Sequence, residues 1–227
     1  MNTMDNVRKL PIQFFDKMQS LAIVDRRLPH WSQAGTLCFI TFRAWDSMPQ
    51  HVVMQWLAER NAFLLKHGID PQLPTWQAEF QKLASEEQAE FHELLSQRWS
   101  DQLDRCCGSC VMRRPEIAQI VVDSLQHFDE DRYWLTDFVV MPNHVHVLVS
   151  FPDESALLQQ CESWKHFTAT KINRTLRRNG RFWQQDGFDH LVRSVDQFYY
   201  LRKYIAENPT KAKLAAEEYR HFSKVLV

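Results

Sequence analysis

Two histidines separated by a single valine are the residues of this sequence whose type and spacing could most readily do chemistry. His144 and His146 lie within an apolar, β-branched run at residues 140–149 (VMPNHVHVLV). Side chains of a strand alternate between its two faces, so both imidazoles are predicted to point the same way, opposite to Val145 and Val147. Two imidazoles side by side on a rigid strand are half of a metal site.

A second candidate group lies downstream, at residues 204–209 (YIAENP). Tyr204 and Asn208 are one helical turn apart, and Tyr200 precedes them by another turn. A phenol, with an ordinary pKa near ~10, is a weak nucleophile at neutral pH and gains from a nearby metal, a general base or basic surroundings. Together the two groups suggest a metal-assisted tyrosine nucleophile that acts on a phosphodiester. On ligand softness alone, Zn²⁺ or Fe²⁺ would suit the imidazoles.

Hydrophobic periodicity predicts the elements that must position these residues. The predicted order is a strand at 36–43, a helical segment from about 49 to 102, a helix at 115–127, strands at 133–141 and 144–151, a helix at 155–178, a strand within 181–193 and a helix at 195–207. A turn at Pro142 and Asn143 indicates an antiparallel hairpin. The last helix is expected to stop at Asn208, because a residue before proline avoids the helical region.

This order predicts an α+β fold, in which helices pack on an antiparallel sheet with a β-α-β-β-α-β-α core. A helical insertion at about 46–105 interrupts the core after its first strand. The predicted organisation is an N-terminal arm at 1–35, a core domain at 36–212 and a C-terminal tail at 213–227.

Charge is distributed unevenly along the 227 residues, although the formal net charge is only −1. Residues 163–213 contain 11 basic and 4 acidic side chains, whereas residues 45–105 contain 10 acidic and 5 basic ones. A basic segment beside the candidate tyrosine favours a polyanionic substrate, although solvated basic helix faces are an equal alternative. No run approaches the roughly 18 apolar residues that a membrane span needs, and the N-terminus lacks a signal-peptide core, so we expect a cytoplasmic, nucleoid-associated protein.

Four ordered motifs resemble those of the REP-associated tyrosine transposases, domesticated relatives of the single-tyrosine insertion-sequence transposases within the His-hydrophobic-His endonuclease superfamily. The motifs are residues 140–149 (VMPNHVHVLV), 163–168 (SWKHFT), 182–184 (FWQ) with 189–193 (DHLVR), and 204–209 (YIAENP). Residues 27–31 (RLPHW) and the helical insertion also resemble longer members of that family.

The resemblance implies a metal-dependent endonuclease and strand transferase for single-stranded DNA that recognises hairpins of repetitive extragenic palindromes. It implies Tyr204 as the nucleophile that forms a 5′-phosphotyrosine bond, and His144, His146 and Asn208 as ligands of Mg²⁺ or Mn²⁺. Insertion-sequence relatives often have glutamine at the third ligand position, one methylene longer than asparagine. The resemblance further implies a monomer, with a homodimer as the alternative.

Candidate DNA-binding residues come from the basic segment around the tyrosine. We predict phosphate contacts from its cations and stacking of Trp183 on an unpaired base. The predicted set is Lys165, Lys171, Arg174, Arg177, Arg178, Arg181, Trp183, Arg193 and Arg202. Two alternatives stay open at this point: a catalytically silent hairpin-binding protein on the same fold, and an unrelated metal-dependent phosphodiester hydrolase in which Tyr204 is structural.

Overall fold

The computed structural model describes residues 12–16, 18, 22–25, 29–153, 155–185 and 188–225. Much of the predicted N-terminal arm, including residues 1–11, therefore lies outside the described residues. The chain divides into two compact units, one formed by Met1–Trp45 with Val111–Val227 and the other by Asp46–Cys110. The sequence prediction placed the helical insertion at about 46–105.

Seven strands and six α-helices follow one another in the described part of the chain. In order they are β1 (Ala22–Asp25), β2 (Pro29–Ser32), β3 (Leu37–Arg43), α1 (Gln50–Lys66), α2 (Trp76–Phe80), α3 (Ser85–Asp104), α4 (Pro115–Gln126), β4 (Trp134–Val140), β5 (His144–Ser150), α5 (Ala156–Thr175), β6 (Phe188–Leu191), α6 (Val195–Lys211) and β7 (Arg220–Ser223). Five strands form an antiparallel sheet in the order β6-β3-β5-β4-β7. The α+β class with an antiparallel sheet is confirmed.

The two faces of this sheet bury different sets of side chains. Val145, Val147 and Val149 of β5 pack into one apolar cluster with residues of α4 and α5. Leu148 lies on the opposite face, which it shares with His146, and packs with residues of α6. Since side chains alternate along a strand, β5 separates α4 and α5 on one side of the sheet from α6 on the other.

The predicted hairpin between β4 and β5 places the histidines at the very start of a buried strand. Val140 pairs with Val145, and the Met141 amide donates to the His144 carbonyl at 2.9 Å, which leaves Pro142 and Asn143 as a two-residue turn. The Ala44 amide donates to the Asn143 carbonyl at 2.8 Å, so this turn is also attached to the end of β3.

The structure corrects three boundaries that the sequence predicted. Residues 22–32, in the predicted irregular arm, contain the antiparallel pair β1 and β2. Residues 220–223, in the predicted tail, form edge strand β7, where Phe222 stacks on Phe138 with ring centroids 5.2 Å apart. Helix α6 does not stop at Asn208 but continues to Lys211 through Pro209. Both Asn208 and Pro209 are buried, and we attribute the tolerance of a helical proline to the packing of this last turn.

The unit Asp46–Cys110 has a small apolar core of its own. Its buried members are Phe63, Leu64, Ile69, Phe80 and Phe91, against which Trp56 and Trp76 pack. This is the helical packing that the spacing of apolar residues predicts for an insertion. Within the described part of the chain, no helix has both the length and the apolar character needed to cross a membrane.

Candidate active site

The two histidines of β5 lie together on the α6 side of the sheet and are almost fully buried. His144 is 0% exposed and His146 is 2% exposed. Their Nε2 atoms are 3.1 Å apart, and their ring centroids are 4.6 Å apart. The strand phase inferred from the sequence therefore gives the expected pair of neighbouring imidazoles.

Neighbouring side chains hold the remaining ring nitrogens of both histidines. His144 Nδ1 lies 2.8 Å from Asn143 Oδ1, and His146 Nδ1 lies 2.7 Å from Thr41 Oγ1. Since an amide oxygen only accepts, Nδ1 of His144 is the protonated nitrogen and its Nε2 carries a lone pair. In one tautomer, His146 donates its Nε2–H to the Nε2 lone pair of His144. In the other, His146 donates its Nδ1–H to Thr41, and the Nε2 lone pairs of both histidines face each other.

Burial keeps both imidazoles neutral. It lowers the pKa of His144 to about 3, and burial, with the repulsion that a protonated His144 would add, holds the pKa of His146 well below its usual range. A neutral imidazole is the form that binds a metal, so the pair has ligand character at physiological pH without first losing a proton.

Helix α6 brings Tyr204 to this pair within one chain. Ser194 caps the helix by accepting a hydrogen bond from the Gln197 amide at 3.1 Å. Phe198, Leu201, Ile205 and Asn208 form the buried stripe of α6, at spacings of three and four residues. Because this stripe faces the sheet, the ring of Tyr204 lies edge-on to the ring of His146, with centroids 5.2 Å apart.

Tyr200 does not share this environment. It is 66% exposed, whereas Tyr204 is half-buried against Phe39 and His146. The geometry therefore favours Tyr204 over Tyr200 as the reacting phenol.

Asn208 lies one helical turn beyond Tyr204 and is completely buried. Neither its Oδ1 nor its Nδ2 atom has a hydrogen-bond partner among the described residues. A buried amide without partners costs about 1–3 kcal/mol, so it requires an explanation such as an ion or substrate group that satisfies it. An amide oxygen that binds a cation would supply that explanation.

The described residues fit a metal ion only if Asn208 or the substrate completes the ligand set. No group of three or more His, Cys, Asp or Glu side chains suited to a metal exists in the described ranges. The Nε2 separation of 3.1 Å nevertheless agrees with two ligands at ~2.1 Å on neighbouring coordination positions, which would lie about 3 Å apart. Two neutral imidazoles and an unsatisfied buried amide are therefore a fitting partial site for a divalent ion.

Sequence reasoning missed several residues that surround this group. Phe39 of β3 stacks on His146 at 5.2 Å between centroids and also contacts the rings of His190 and Tyr204. Burial, with a smaller contribution from the nearby charge of Arg193, lowers the pKa of His190 to about 4. Phe39 lies more than 100 residues before His146 in the sequence, so only the register of β3 against β5 brings them together.

Two cations also lie near the ends of this site. Arg43 is the β3 partner of His144 in the strand register, and burial lowers its pKa to about 10, so it stays charged at neutral pH. The Lys211 ammonium lies 5.2 Å from the centre of the Tyr204 ring. This positive charge is placed to stabilise negative charge that develops on the phenol oxygen. The spacing of seven residues between Tyr204 and Lys211 was the available signal for the lysine.

The predicted DNA-binding cations do not share one face of the sheet. Helix α5 packs on the side opposite α6, so its cations lie away from Tyr204. Five of the predicted cations are exposed, while Lys165 and Arg178 are partly buried. The exposed ones are Lys171, Arg174, Arg177, Arg181 and Arg193. A DNA that contacts both α5 and the tyrosine must pass around the sheet.

Two members of the predicted DNA-binding set have structural roles instead. Trp183 is only 4% exposed, and its Nε1 donates to Thr168 Oγ1 at 2.8 Å, so its face is not available for stacking on a base. Arg202 Nε donates to Asp137 Oδ1 at 3.0 Å, and its Nη2 donates to Ser223 Oγ at 2.6 Å and to the Lys224 carbonyl at 2.8 Å. The guanidinium of Arg202 thus connects α6 to β4 and β7.

Comparisons with known proteins address the same segment that forms the site. Residues 115–208, from the start of α4 to Asn208, match the family model described as "Transposase IS200 like". This segment is similar to the IS200-like transposases. The resemblance that the motifs indicated is thereby confirmed at the level of that family of DNA-processing enzymes, and the match includes both histidines, Tyr204 and Asn208.

The other comparisons gave weaker results than this family match. A solved structure described as a REP-associated tyrosine transposase bound to a REP hairpin aligns with 81% of this chain and 72% of its own. The identity is 13% and the TM-score is 0.41, so the assignment rests on the family match and not on this likeness. No curated protein matches the chain significantly.

Proposed function

We propose that this protein is an IS200-like transposase that acts as a metal-dependent endonuclease and strand transferase for single-stranded DNA, beside hairpins of the repetitive extragenic palindrome type. The observation that carries the proposal is the contact between the Tyr204 and His146 rings, 5.2 Å apart, within one chain. A nucleophile, two neutral imidazoles and a buried amide without partners are thereby available in a single molecule. This supports a monomer that needs no residue from a second copy.

The chemistry assigned to Tyr204 is an in-line exchange of phosphodiester bonds. The phenol oxygen forms a bond to phosphorus as the bond to the 3′ oxygen breaks, which leaves a free 3′-hydroxyl and a 5′-phosphotyrosine. The phenol proton leaves to solvent or a base, and a proton ends on the 3′ oxygen. Attack of a 3′-hydroxyl on the phosphotyrosine reverses the exchange and joins the strands.

Other residues of the chain prepare this exchange. The exposed Lys211 places positive charge beside the tyrosine ring, while Phe39 fixes the rings of His146 and Tyr204. His144, His146 and Asn208 are the residues that would hold Mg²⁺ or Mn²⁺. When bound, that ion would neutralise charge on the scissile phosphate.

A covalent-adduct assay with the full chain tests this function. The substrate is a hairpin with a single-stranded extension that contains a bridging phosphorothiolate, incubated with Mg²⁺. We expect a protein-linked 5′ end on the downstream fragment and a released upstream fragment with a free 3′ end, from the wild-type protein and from Tyr200→Phe. Tyr204→Phe should form no adduct, since only the hydroxyl is removed while the ring still packs.

The opposite pattern would contradict the assignment. Adduct from Tyr204→Phe together with none from Tyr200→Phe would make Tyr200 the nucleophile. Hairpin binding by the wild-type protein with no adduct in either Mg²⁺ or Mn²⁺ would identify a binding protein on this fold. Hydrolysis to free ends with no protein-linked intermediate would identify a metal-dependent hydrolase.

A further inference from the structure

Trp45 presents an exposed aromatic ring on a rigid backbone. Its side chain is 50% exposed, unlike that of Trp183. The Trp45 amide donates to the Phe182 carbonyl at 2.7 Å, and the Gln184 side-chain amide donates to the Trp45 carbonyl at 2.8 Å. Because both backbone groups are already bonded, binding a ligand on the ring would order little additional chain.

The surroundings of this ring are suited to a nucleic acid. The Arg181 guanidinium lies 4.7 Å from the centre of the Trp45 ring, and Arg181 is itself exposed. Arg181 also borders a groove of about 690 Å³ between α5 and residues 180–185, a size within the range of about 300–1,000 Å³ typical of ligand pockets. The polar lining of the groove includes Lys165, Gln184 and Gln185, and Glu162 is its only carboxylate among the described residues.

Trp45 also lies close to the candidate active site along the chain. It follows Arg43 by two residues, and Arg43 is the strand partner of His144. Ala44, between them, forms an antiparallel bridge with Trp183. Residues 182–184 therefore pair with residues 43–45 beyond the end of β3, and the Ala44 amide also donates to the carbonyl of Asn143, the residue before His144.

We propose that Trp45 and Arg181 form a binding site for unpaired nucleotides of single-stranded DNA, in which a base stacks on the indole and Arg181 contacts a phosphate. This inference rests on the proposed function, because it assigns a place to the unpaired strand that Tyr204 would cleave. Aromatic stacking combined with cations is how proteins bind single strands without reading their sequence. The stacking on an unpaired base that the sequence suggested for Trp183, which is buried, is therefore assigned to Trp45.

Binding measurements on full-length variants test this site without requiring cleavage. All variants carry Tyr204→Phe, and the probe is a fluorescein-labelled oligothymidine of about ten nucleotides. We expect Trp45→Ala to weaken binding about 5- to 100-fold, the loss typical for one base stack, and Trp45→Phe to recover most of it. The salt dependence should stay the same in Trp45→Ala but fall by about one phosphate equivalent in Arg181→Ala.

Two matched controls separate stacking from other effects. Phe167→Ala removes another exposed ring that has a cation over it, Lys171 at 4.6 Å, but lies on α5. It should leave oligothymidine affinity unchanged. An abasic oligonucleotide of the same length should bind equally to wild-type Trp45 and to Trp45→Ala, because it retains phosphates and lacks bases. Thermal unfolding should be nearly the same for Trp45→Ala and Trp45→Phe.

The outcomes distinguish this inference from the proposed function. If Trp45→Ala binds oligothymidine as tightly as the parent, or if Phe167→Ala loses as much affinity, the site is wrong even where the wild-type protein forms its phosphotyrosine adduct. If affinity falls as expected but no adduct forms with any DNA, the stacking site stands and the transposase chemistry does not.

Discussion

The two faces of the central sheet bury different kinds of side chain, which alternate along strand β5. Val145, Val147 and Val149 are each 0% exposed and pack with α4 and α5 in a mainly apolar layer. On the other face, His144 and His146 are equally buried but polar. One face therefore contributes stability through apolar burial, while the other buries polar groups, among which the Asn208 amide has no hydrogen-bond partner in the described residues.

Removing an imidazole should have the largest effect on activity. We expect His144→Ala to abolish cleavage while hairpin affinity stays largely intact, because affinity comes mainly from phosphate contacts elsewhere. Cleavage of the phosphorothiolate substrate and hairpin binding, measured in the same Mg²⁺ buffer, check this. Normal cleavage by the variant would show that cleavage does not require His144, so the polar face would not differ from the apolar face in this respect.

Loss of the Thr41 hydroxyl, which contacts His146, should have the second largest effect. Thr41→Val keeps the shape of the side chain but removes the hydrogen bond to His146 Nδ1, so Mn²⁺ affinity should fall about 10- to 100-fold. The control is Thr136→Val, which changes another buried strand threonine, whose hydroxyl donates to the Leu148 carbonyl at 3.2 Å. Titration calorimetry with Mn²⁺ compares them, and an equal loss of affinity in both variants would argue against the role of Thr41.

The apolar face should respond in the opposite way. Val147→Ala creates a cavity and is expected to lower the free energy of unfolding by about 2 kcal/mol. At a temperature where the variant is folded, its cleavage rate should match that of the wild-type protein. Urea unfolding followed by circular dichroism gives the stability. A cleavage defect in the fully folded variant would mean that the two faces are not separable.

The cations at and just after the C-terminal end of α5 should have the smallest effect, and only on affinity. Replacing Arg174, Arg177 and Arg178 with alanine should flatten the salt dependence of hairpin binding by up to about three phosphate equivalents, at slightly under one unit of slope each. Arg178 should contribute least, since its Nε already donates to Asn173 Oδ1 at 3.0 Å. Anisotropy titrations over a range of salt measure the slope. An unchanged slope would place the DNA path away from α5.

Local periodicity was enough to predict the residues that lie on one element. The alternation along β5 placed both histidines on one face, and the helical repeat placed Tyr204 and Asn208 one turn apart. Contacts between elements were not predictable in this way. Thr41 and Phe39 reach His146 only through the pairing of β3 with β5, and nothing local specifies that register.

Burial of the tryptophans and the extent of α6 depended on tertiary packing as well. Trp45 and Trp183 lie in segments of similar composition, yet the bridge between Ala44 and Trp183 leaves the first ring exposed and the second buried. Pro209 continues α6 because the last turn packs into the core, against its local preference. The short strand β7 has only one large apolar residue, Phe222, so its periodicity was too weak to detect.

Identification of the amino acid that becomes linked to DNA shows whether Tyr204 is the nucleophile. Trypsin cuts after Arg202 and Lys203, so it places Tyr199 and Tyr200 in one peptide and Tyr204 in another. After nuclease trimming of the wild-type adduct, mass spectrometry should find the added nucleotide on the peptide of residues 204–211, attached to Tyr204. A nucleotide on the peptide of residues 194–202, or on any residue other than Tyr204, would rule out Tyr204 as the nucleophile.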